Sequence, residues 1–496
     1  MTGMVCNRLR GSGRHRRLSR LLAGSWLVVA LSPISAGISL LDAGSARAAG
    51  TFYIRGAGDG HGIGMSQYGA LGFALHNWSY QAILGHYYEN TTLGTTNPDQ
   101  IVSVLLADGS ATFSGASSAN GKKIKPGTTY TVRPASGGDL ELVAAGKKAG
   151  TFSSPLTVKG LGPLDLAGHG LYRGSFVFRP DGANQIQTVN ALDLEDYVRG
   201  VISWEMPSSW PMAALEAQAI AARTYAITAG AVGSDFDVYD DTRSQMYGGV
   251  AAETPRTNAA VAATSAQVVS YDGTPATTYF FSSSGGYTES IQNVWYGVEP
   301  EAWLHGVPDP YDDSGGNPYY RWKLNQRLTA AESKLHGLYR GTFVGIKVLK
   351  HGVSPRIVSA SVVGTKGSTT VTGAQLQQIF NLMSTYVSFT TISSKAKSST
   401  APAPNTGGST ASGTEATDAR SAAVSRGRRE SFALTGTVFP ARPGVRVAVQ
   451  ELALRGWTTI ERVSTGSEGS YALAVPGPGR FRVLYEGMRG PVVTVS

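Results

Sequence analysis

The stretch that decides the fold covers residues 192–228 and reads LDLEDYVRGVISWEMPSSWPMAALEAQAIAARTYAIT. Residues 192–201 are expected to leave a strand and to enter a short turn of helix. Pro211 then opens a long alanine-rich helix, because the fixed φ of proline suits a first helical position. An apolar stripe recurs along this helix at helical spacing and consists of Leu215, Ala219, Ala222 and Ala226. Such small side chains predict a helix that packs closely against its neighbours.

Glu205 is the residue of this stretch that could carry chemistry. It lies between Trp204 and Met206, and burial by these two apolar side chains would favour its neutral form. A carboxylic acid that keeps its proton near neutral pH can act as a general acid. Taken alone, a glutamate is more often a surface or capping residue, so the assignment depends on the pattern that surrounds it.

That pattern resembles the core signature of the SpoIID/LytB family, the stage II sporulation protein D and amidase-enhancer proteins of the bacterial cell wall. Its three parts stand here as residues 194–201, Glu205-Met206-Pro207 and residues 214–225, with their spacing intact. Members that are enzymes resemble lytic transglycosylases that act on the glycan strands of peptidoglycan, with the glutamate of the Glu-Met-Pro motif as acid/base. The resemblance therefore implies Glu205 as the catalytic residue.

One carboxylate is sufficient for this chemistry. Ordinary glycosidases need two, one as acid and one as nucleophile or as base for a water molecule. In a lytic transglycosylase the nucleophile is the C6 hydroxyl of the substrate's own N-acetylmuramic acid. A single glutamate can protonate the leaving oxygen and then deprotonate that hydroxyl, which leaves a 1,6-anhydro ring. No cofactor is expected.

A glycine-rich segment, residues 58–70, reads GDGHGIGMSQYGA. Its glycines do not fit the G-x-G-x-x-G loop of a dinucleotide site, and residues 64–68 do not fit the G-x-S-x-G nucleophile elbow. Residues 60–70 instead match a second SpoIID/LytB motif. In many members this motif ends the domain, whereas here it precedes the core signature, which indicates a permuted order. Ser79 is expected to cap a following helix that runs to Tyr88.

The residues of this segment leave two interpretations open. In the first, the glycines let a sugar approach the backbone while His61, Ser66 and Gln67 supply hydrogen bonds. In the second, the segment is a tight turn in which Ser66 caps a helix and the hydrogen bonds of His61 are satisfied within the protein. A metal site at His61 is not expected, because no second ligand stands at a useful spacing.

Two later segments resemble further parts of the family. Residues 239–249 resemble its D-T-x-x-Q-x-Y-x-G region, in which some relatives carry cysteines that could hold a metal. This chain has no cysteine there, so no metal is expected. Residues 282–289 match the S-S-G-G-x-T-E loop, and Phe281 stands where many members have a histidine.

One cleft is expected to unite these motifs, because a single carboxylate cannot orient a polysaccharide alone. Residues 61–67 must then fold back against the helix led by Pro211. Both would line the cleft with residues 282–286, and Glu205 would lie on its floor. The candidate substrate-binding residues are His61, Ser66, Gln67, Gln218, Arg223, Tyr225, Tyr247, Ser283, Ser284 and Gly285.

The start of the chain has the pattern of a secretory signal peptide. Residues 1–48 combine a basic region, an apolar run over residues 21–41 and the cleavage pattern Ala46-Arg47-Ala48. We expect cleavage after Ala48, export to the cell wall or the extracellular space, and membrane contact only through this leader. An uncleaved anchor is the other interpretation, and the sequence leaves Sec and twin-arginine export both open.

Charge and cysteine content exclude several classes of protein. Residues 1–48 hold seven Arg and one Asp, which is +6 of the formal +9 and leaves only +3 for the rest of the chain. Charge therefore gives no argument for nucleic-acid binding, and none is expected. The only cysteine is Cys6, so the exported chain would have neither a disulfide nor a thiolate ligand.

The 496 residues have room for two or three domains. We predict an α+β fold with a SpoIID-type catalytic domain over residues 49–392, which includes an antiparallel β-subdomain over residues 101–190. Residues 393–430 are poor in large apolar side chains and are predicted to be a disordered linker. Residues 431–496 alternate in short apolar strands and predict a small all-β, Ig-like or fibronectin-like sandwich.

Three functions compete. The first is a secreted lytic transglycosylase whose partner is the peptidoglycan glycan strand. The second is a non-catalytic wall protein that binds glycan and stimulates a separate cell-wall amidase, its second partner. The third, a purely structural wall or spore-coat component, would leave the cleft motifs without a use.

Overall fold

A computed structural model describes residues 49–109, 111–182, 185–231, 233–400, 430–442 and 444–496. The predicted signal peptide therefore lies outside the described residues, as does most of the predicted linker. The described chain separates into two compact units. The first comprises residues 53–325 and 332–389, and the second comprises residues 49–52, 326–331 and the described part of 390–496.

The part of the chain that the structure describes contains eight α-helices. They are α1 (Gln67–Leu75), α2 (Tyr80–Tyr87), α3 (Leu194–Glu205), α4 (Met212–Thr228), α5 (Pro255–Ala263), α6 (Ile291–Val294), α7 (Leu328–Lys334) and α8 (Gly373–Phe380). Short 3₁₀ turns cover Ser136–Gly138, Gly249–Ala252 and Ser314–Gly316.

The strands up to the core signature are β1 (Ala49–Gly56), β2 (Met65–Ser66), β3 (Thr92–Thr95), β4 (Ile101–Gly109), β5 (Ala111–Ala119), β6 (Lys122–Lys123), β7 (Tyr130–Pro134), β8 (Leu140–Ala144), β9 (Lys147–Phe152), β10 (Leu156–Leu166), β11 (Gly170–Tyr172), β12 (Ser175–Asp181) and β13 (Gln185–Asp193). Those after it are β14 (Val238–Tyr239), β15 (Gln267–Tyr271), β16 (Thr274–Pro275), β17 (Phe280–Phe281), β18 (Trp322–Arg327), β19 (Tyr339–Arg340), β20 (Phe343–His351), β21 (Ile357–Gly364), β22 (Gly367–Thr372) and β23 (Val387–Thr400). The last strands are β24 (Glu430–Phe439), β25 (Arg446–Ala453), β26 (Gly456–Ser464), β27 (Ser470–Val475), β28 (Gly479–Tyr485), β29 (Met488–Arg489) and β30 (Val493–Val495).

The largest sheet of the first unit has the order β14-β4-β13-β12-β10-β5-β7-β8-β9, with β11 paired to β10 and β6 to β5. Neighbouring strands are antiparallel except at the edge, where β14 runs parallel to β4. Its register follows the alternation of side chains: Phe176 and Phe178 on β12 are both buried and pair with Asn190 and Thr188 on β13. The mixed α+β class with antiparallel sheets is therefore confirmed.

The alanine-rich helix α4 is the buried centre of the helical layer. Its alanines let α1, α2, α3 and α5 pack against it closely, and Ala214, Leu215 and Ala222 are fully buried. Pro211 differs from its predicted place by one residue. It is the N-cap of α4, with an extended ψ of 145°, and the helix begins at Met212. The predicted cap of α2 is confirmed, since the Ser79 hydroxyl accepts from the N–H of Ala82.

The helix before α4 is longer than the predicted short turn. It spans twelve residues as α3 and follows β13 directly, so the strand of the large sheet leads straight into it. Tyr197, Val198 and Val201 of α3 are fully buried. Glu205 is the last residue of this helix, and six residues separate it from the start of α4.

The second unit is built of antiparallel strands. One sheet pairs β24 with β27 and with the end of β23, and another has the order β26-β25-β28-β29 with β30 on β28. Buried apolar side chains alternate along its strands, for example Val447 and Val449 on β25 and Phe481 and Val483 on β28. The Ig-like sandwich stays a prediction. Residues 393–400 of the predicted linker are extended in β23, and residues 401–429 lie outside the described chain.

Candidate functional site

Glu205 is half-buried and both of its carboxylate oxygens accept hydrogen bonds. Its Oε1 accepts from the backbone N–H of Met246 at 2.8 Å, and its Oε2 accepts from Nε2 of Gln67 at 3.1 Å. The indole of the preceding Trp204 packs against the backbone of Gly248, so closely that a Cβ at position 248 would lie 2.4 Å from it. Glycine at position 248 therefore allows the chain after β14 to approach the end of α3 and to present the N–H of Met246.

Burial raises the pKa of Glu205 above its ordinary value, and the bonds from Met246 and Gln67 lower it in part. Burial is the larger effect because neither donor carries a full positive charge. The carboxyl group consequently holds its proton more firmly than an exposed glutamate does. After it has given up that proton, the same two donors stabilise the anion. The arrangement thus fits a group that must act first as an acid and then as a base.

Gln67 comes from the glycine-rich segment, 138 positions earlier in the sequence than Glu205. It is the first residue of α1, and the preceding β2 pairs in parallel with β17. Gly64 makes this pairing possible, because its φ is +73° and a Cβ there would lie 2.1 Å from the carbonyl oxygen of Tyr279. The predicted return of the early segment to Glu205 is thus what the structure shows at Gln67.

The serines of two motifs meet around one buried acid, Asp312. Its Oδ1 accepts from the hydroxyl of Ser66 at 2.8 Å, and its Oδ2 accepts from the hydroxyl of Ser283 at 2.8 Å. The backbone N–H groups of Ser284 and Gly285 also donate to it, at 3.1 and 2.8 Å. All three serines are fully buried. These hydrogen bonds hold the two motifs together, and contact of Ser66, Ser283, Ser284 or Gly285 with substrate stays a prediction.

His61 uses both ring nitrogens within the protein. Its Nδ1 accepts from the N–H of Ile63 at 3.0 Å, so Nε2 carries the proton and faces the carbonyl oxygen of Phe280 at 3.1 Å. Burial, with the nearby positive charge of Arg356, lowers the pKa of His61 to about 3. Its ring lies 5.3 Å from that of Phe281. This geometry corresponds to the second interpretation, in which Ser66 also caps α1 by accepting from Gly69.

Arg223 lies in the core of the first unit and forms a two-pronged ion pair with Glu195. Its Nε and Nη2 donate to the two carboxylate oxygens at 2.8 and 2.7 Å. Its Nη1 donates to the carbonyl oxygen of Gln267 at 3.1 Å. The side chain is fully buried and ties α4 to the first turn of α3. The structure therefore places Arg223 away from the Gln67–Glu205 contact.

Gln218 is also fully buried, and neither its amide nitrogen nor its amide oxygen has a hydrogen-bond partner among the described residues. Tyr247 is buried against Tyr197, with ring centroids 5.3 Å apart, and donates to Oδ1 of Asn190 at 2.7 Å. These positions make Gln218 and Tyr247 interior groups.

Among the predicted substrate-binding residues, Gln67 donates a hydrogen bond to Glu205, and Tyr225 interacts with it electrostatically. Burial, with smaller contributions from the charges of Tyr279 and Glu205, raises the pKa of Tyr225 to about 12, although a hydrogen bond with Ser244 opposes this rise. Its phenol therefore stays protonated over the whole neutral range. Because a protonated phenol can donate a hydrogen bond, Tyr225 is able to bind an oxygen beside the carboxylate.

Sequence reasoning missed three features of this site. The N–H of Met246 is a backbone group and has no sequence signal. Asp312 lies outside every motif, and only its place in the structure reveals it. Tyr68 and Trp210 stand inside quoted motifs, yet nothing in the sequence showed that their rings meet, with centroids 5.1 Å apart.

Across the described ranges, no three His, Cys, Asp or Glu side chains are grouped so that they could hold a metal ion. None of the described helices combines the length and the apolar character that crossing a bilayer requires.

Comparison with known proteins gives a family match over part of the chain. Residues 182–271, which contain Glu205 and all of α4, match SpoIID, described as stage II sporulation protein. This supports a place for that region in the SpoIID/LytB family. The match includes the donor residue Met246 but not Gln67.

The chain is similar to several curated proteins. An amidase enhancer of Bacillus subtilis (strain 168) is 44% identical over 103 residues, which are 21% of this chain and 14% of that protein. The stage II sporulation protein D of the same organism is 34% identical over 163 residues, 29% of this chain and 46% of the relative. A protein of Brachyspira hyodysenteriae is 42% identical over 139 residues, 27% and 37% of the two chains. This chain thus spans less than half the length of each of these relatives.

Proposed function

We propose that the protein is a secreted cell-wall protein that cleaves the glycan strands of peptidoglycan as a lytic transglycosylase, with Glu205 as its acid/base. The observation that carries the proposal is the state of Glu205: burial raises its pKa, and its hydrogen-bond partners are neutral donors, Gln67 and Met246. The leader pattern of residues 1–48 supports export, and the similarity to stage II sporulation protein D supports a role at the cell wall.

The reaction needs two proton transfers, one from Glu205 to the substrate and one from the substrate back to Glu205. Glu205 gives its proton to the glycosidic oxygen that joins N-acetylmuramic acid C1 to the next sugar, and the C1–O bond breaks as that oxygen leaves as a hydroxyl. The C6 hydroxyl of the same muramic acid forms the new bond to C1, and its proton returns to Glu205. The products are a 1,6-anhydro end and a free hydroxyl, and the carboxyl group is restored to its starting state.

The two donors to Glu205 explain how one carboxyl serves both steps. Burial favours the protonated form that begins the reaction, and the bonds from Gln67 and Met246 limit the cost of the anion between the steps. Ordinary glycosidases place a second acid 5–9 Å away, roughly, for the nucleophile or the water. The direct partners of Glu205 are an amide and a backbone N–H, which suits a reaction whose nucleophile belongs to the substrate.

A second candidate function is a non-catalytic protein that binds glycan and stimulates a cell-wall amidase. The similarity to a protein named amidase enhancer favours it. Phe281 also favours it, because this residue stands where many family members have a histidine, and the ring nitrogens of the adjacent His61 are both bonded to backbone groups.

Product analysis separates the two. The protein without residues 1–48 is incubated with peptide-stripped glycan strands, and the products are examined by mass spectrometry. The proposal expects 1,6-anhydromuramic ends from the wild type and none from Glu205→Gln. Equal product from both proteins would remove Glu205 from the mechanism. Absence of anhydro ends, together with faster digestion of whole sacculi by an added amidase, would establish the second function instead.

A further inference from the structure

Three aromatic rings form a cluster that the mechanism above does not use, and two of them stand near Gln67 or Glu205 in the sequence. The ring of Tyr68 lies 5.1 Å from that of Trp210 and 5.9 Å from that of Tyr319, centroid to centroid, and both contacts are edge-on. All three side chains are half-buried. By contrast, the neighbouring pair Tyr197 and Tyr247 is almost completely buried. The cluster therefore keeps aromatic surface in contact with solvent.

The chain ties this cluster to the acid from two sides. Tyr68 follows Gln67, whose amide donates to Glu205. Trp210 follows Glu205 by five residues and belongs to the turn between α3 and α4, in which its N–H donates to the carbonyl oxygen of Pro207 at 3.0 Å. Two of the three rings thus begin within a few residues of the carboxyl group and its partner.

The backbone that carries the rings is fixed before any ligand arrives. Arg256 donates to the carbonyl oxygens of Ser208 and Trp210 at 2.9 and 2.8 Å and so holds the turn in place. The N–H of Tyr68 donates to the carbonyl oxygen of Ser282 at 2.9 Å. Ordering these rings on binding would therefore cost little conformational entropy, which is a condition for a rigid binding surface.

We propose that Tyr68, Trp210 and Tyr319 form a subsite that binds a hexosamine ring of the glycan strand by stacking, next to the sugar that Glu205 cleaves. This subsite rests on the proposed function for the identity of the strand. A β-linked pyranose has one face made of C–H groups, and these groups carry partial positive charge. The negative face of an aromatic ring attracts them, and the area they bury adds the hydrophobic contribution.

The subsite also answers a need of the mechanism. Glu205 can transfer its proton only if the glycosidic oxygen is held at hydrogen-bond distance. The polar residues predicted to orient the strand are largely interior: the hydroxyls of Ser66 and Ser283 are bonded to Asp312, and Arg223 is paired with Glu195. Solvent-accessible rings beside the acid are the groups that remain to position a sugar.

Binding to a catalytically silent protein tests this subsite. In the Glu205→Gln background, the affinity for peptide-stripped glycan strands is measured by titration calorimetry with and without Trp210→Ala. We expect Trp210→Ala to weaken binding by about tenfold, the scale of one lost aromatic contact. Trp210→Phe should retain most of the affinity while it removes the glycan-dependent change of tryptophan fluorescence from this site.

The matched control is Tyr271→Ala. Tyr271 is also partly exposed and pairs with a tryptophan, Trp303, at 5.0 Å, but it lies outside the cluster. Its replacement should leave affinity unchanged. If Trp210→Ala fails to fold, as circular dichroism would show, Tyr319→Ala replaces it, because Tyr319 lies outside the turn that joins α3 to α4.

The outcomes distinguish the subsite from the enzyme. Equal affinities of Trp210→Ala, Tyr319→Ala and the Tyr271→Ala control would overturn the subsite and leave the cleavage mechanism standing. Selective loss of binding in the cluster variants, with no anhydro ends from the wild type, would support the subsite and overturn the enzyme. Failure of the Glu205→Gln protein to bind strands at all would overturn the subsite as well.

Discussion

The two ends of helix α3 each carry a glutamate, and the charge environments of the two carboxylates differ. Glu195 lies in the first turn, where the helix dipole favours negative charge, and it is paired with the buried guanidinium of Arg223. Glu205 is the last residue, where the same dipole opposes negative charge, and its partners are the uncharged donors Gln67 and Met246. Glu195 is thus held in a buried ion pair, whereas Glu205 is held only by neutral donors.

The comparison shows how one short helix can hold a structural and a chemical carboxylate ten residues apart. The difference depends on whether a cation faces the carboxylate, since the residue type is the same. Replacing each partner separately is therefore the way to test it.

The largest expected effect is the loss of activity in Glu205→Gln. Removing a general acid/base lowers the rate by ~10²–10⁴. Its stability should be unchanged or higher at neutral pH, because the glutamine removes a buried charge that burial disfavours, and its carbonyl oxygen can still accept from Met246. The rate at which anhydro products form from glycan strands measures the activity, and urea unfolding measures the stability. A large fall in unfolding free energy would mean that Glu205 has a structural role instead.

Replacing the partner at the other end of α3 should have the reverse effect. Arg223→Ala leaves Glu195 buried without its cation, which typically costs about 3–5 kcal/mol of unfolding free energy. Activity per folded molecule should change little. Urea unfolding at neutral pH measures the loss, and Arg243→Ala is the control because that ion pair with Asp241 is exposed. Equal stability of the two variants would contradict the importance of the buried pair.

A smaller effect is expected from Gln67→Ala. It removes one donor to the Glu205 carboxylate, so the pKa of Glu205 should rise further. Because the reaction begins with the protonated acid, the alkaline limb of kcat/KM against pH should move to higher pH. The control is Gln377→Ala, whose amide donates to the carbonyl oxygen of Met383 near the surface. An unshifted limb would show that Gln67 does not act on Glu205.

The smallest effect concerns a third buried acid that, like Glu205, lacks a paired cation. Burial and the charge of Asp312 raise the pKa of Asp309 from 3.8 to about 7, while Tyr87 donates to it at 2.8 Å. A folded pKa above the unfolded one gives stability that is complete below pH 3.8 and is lost as the pH rises through about 7.

Asp309→Asn should therefore flatten the decline of unfolding free energy between pH 5 and 8, by on the order of 1–3 kcal/mol. The decline will not vanish, because the pKa of Asp59 is also raised to about 7 by burial. Urea unfolding across this pH range provides the measurement. A variant with the same slope as the wild type would mean that Asp309 is already ionised at neutral pH.

The sequence predicted the parts of the fold whose cause is local. The N-cap at Ser79 and the alternation of strands β12 and β13 depend on side chains within a few positions of each other, and the structure has them. The return of Gln67 to Glu205 was predicted from chemical need and from the family resemblance. What could not be predicted is pairing decided by packing: the salt bridge of Arg223 spans 28 positions, and its direction depends on how α4 rests on α3.

The same limit applies to the serines. Their motifs predicted that Ser66 and Ser283 lie together, but a sequence does not show which way a hydroxyl points. Asp312, which accepts a hydrogen bond from both, lies in a loop between Asp309 and Asp313 and belongs to none of the motifs, so nothing in the sequence singles it out. The role of such an acid can be recognised only from a structure that shows where Ser66 and Ser283 lie.

The bond between Ser66 and Asp312 joins residues 246 positions apart, and that between Gln67 and Glu205 joins residues 138 apart. Contacts of such long range form only after the entropy of closing large loops has been overcome, and they slow folding. The hydrogen bonds of the glycine-rich segment to these distant residues are therefore expected to form late in folding. A chain that ends before residue 312 contains Glu205, Gln67 and Met246 but lacks Asp312, which binds Ser66 next to Gln67. The hydrogen bond from Gln67 to Glu205 is therefore expected to be among the last contacts of this unit to form.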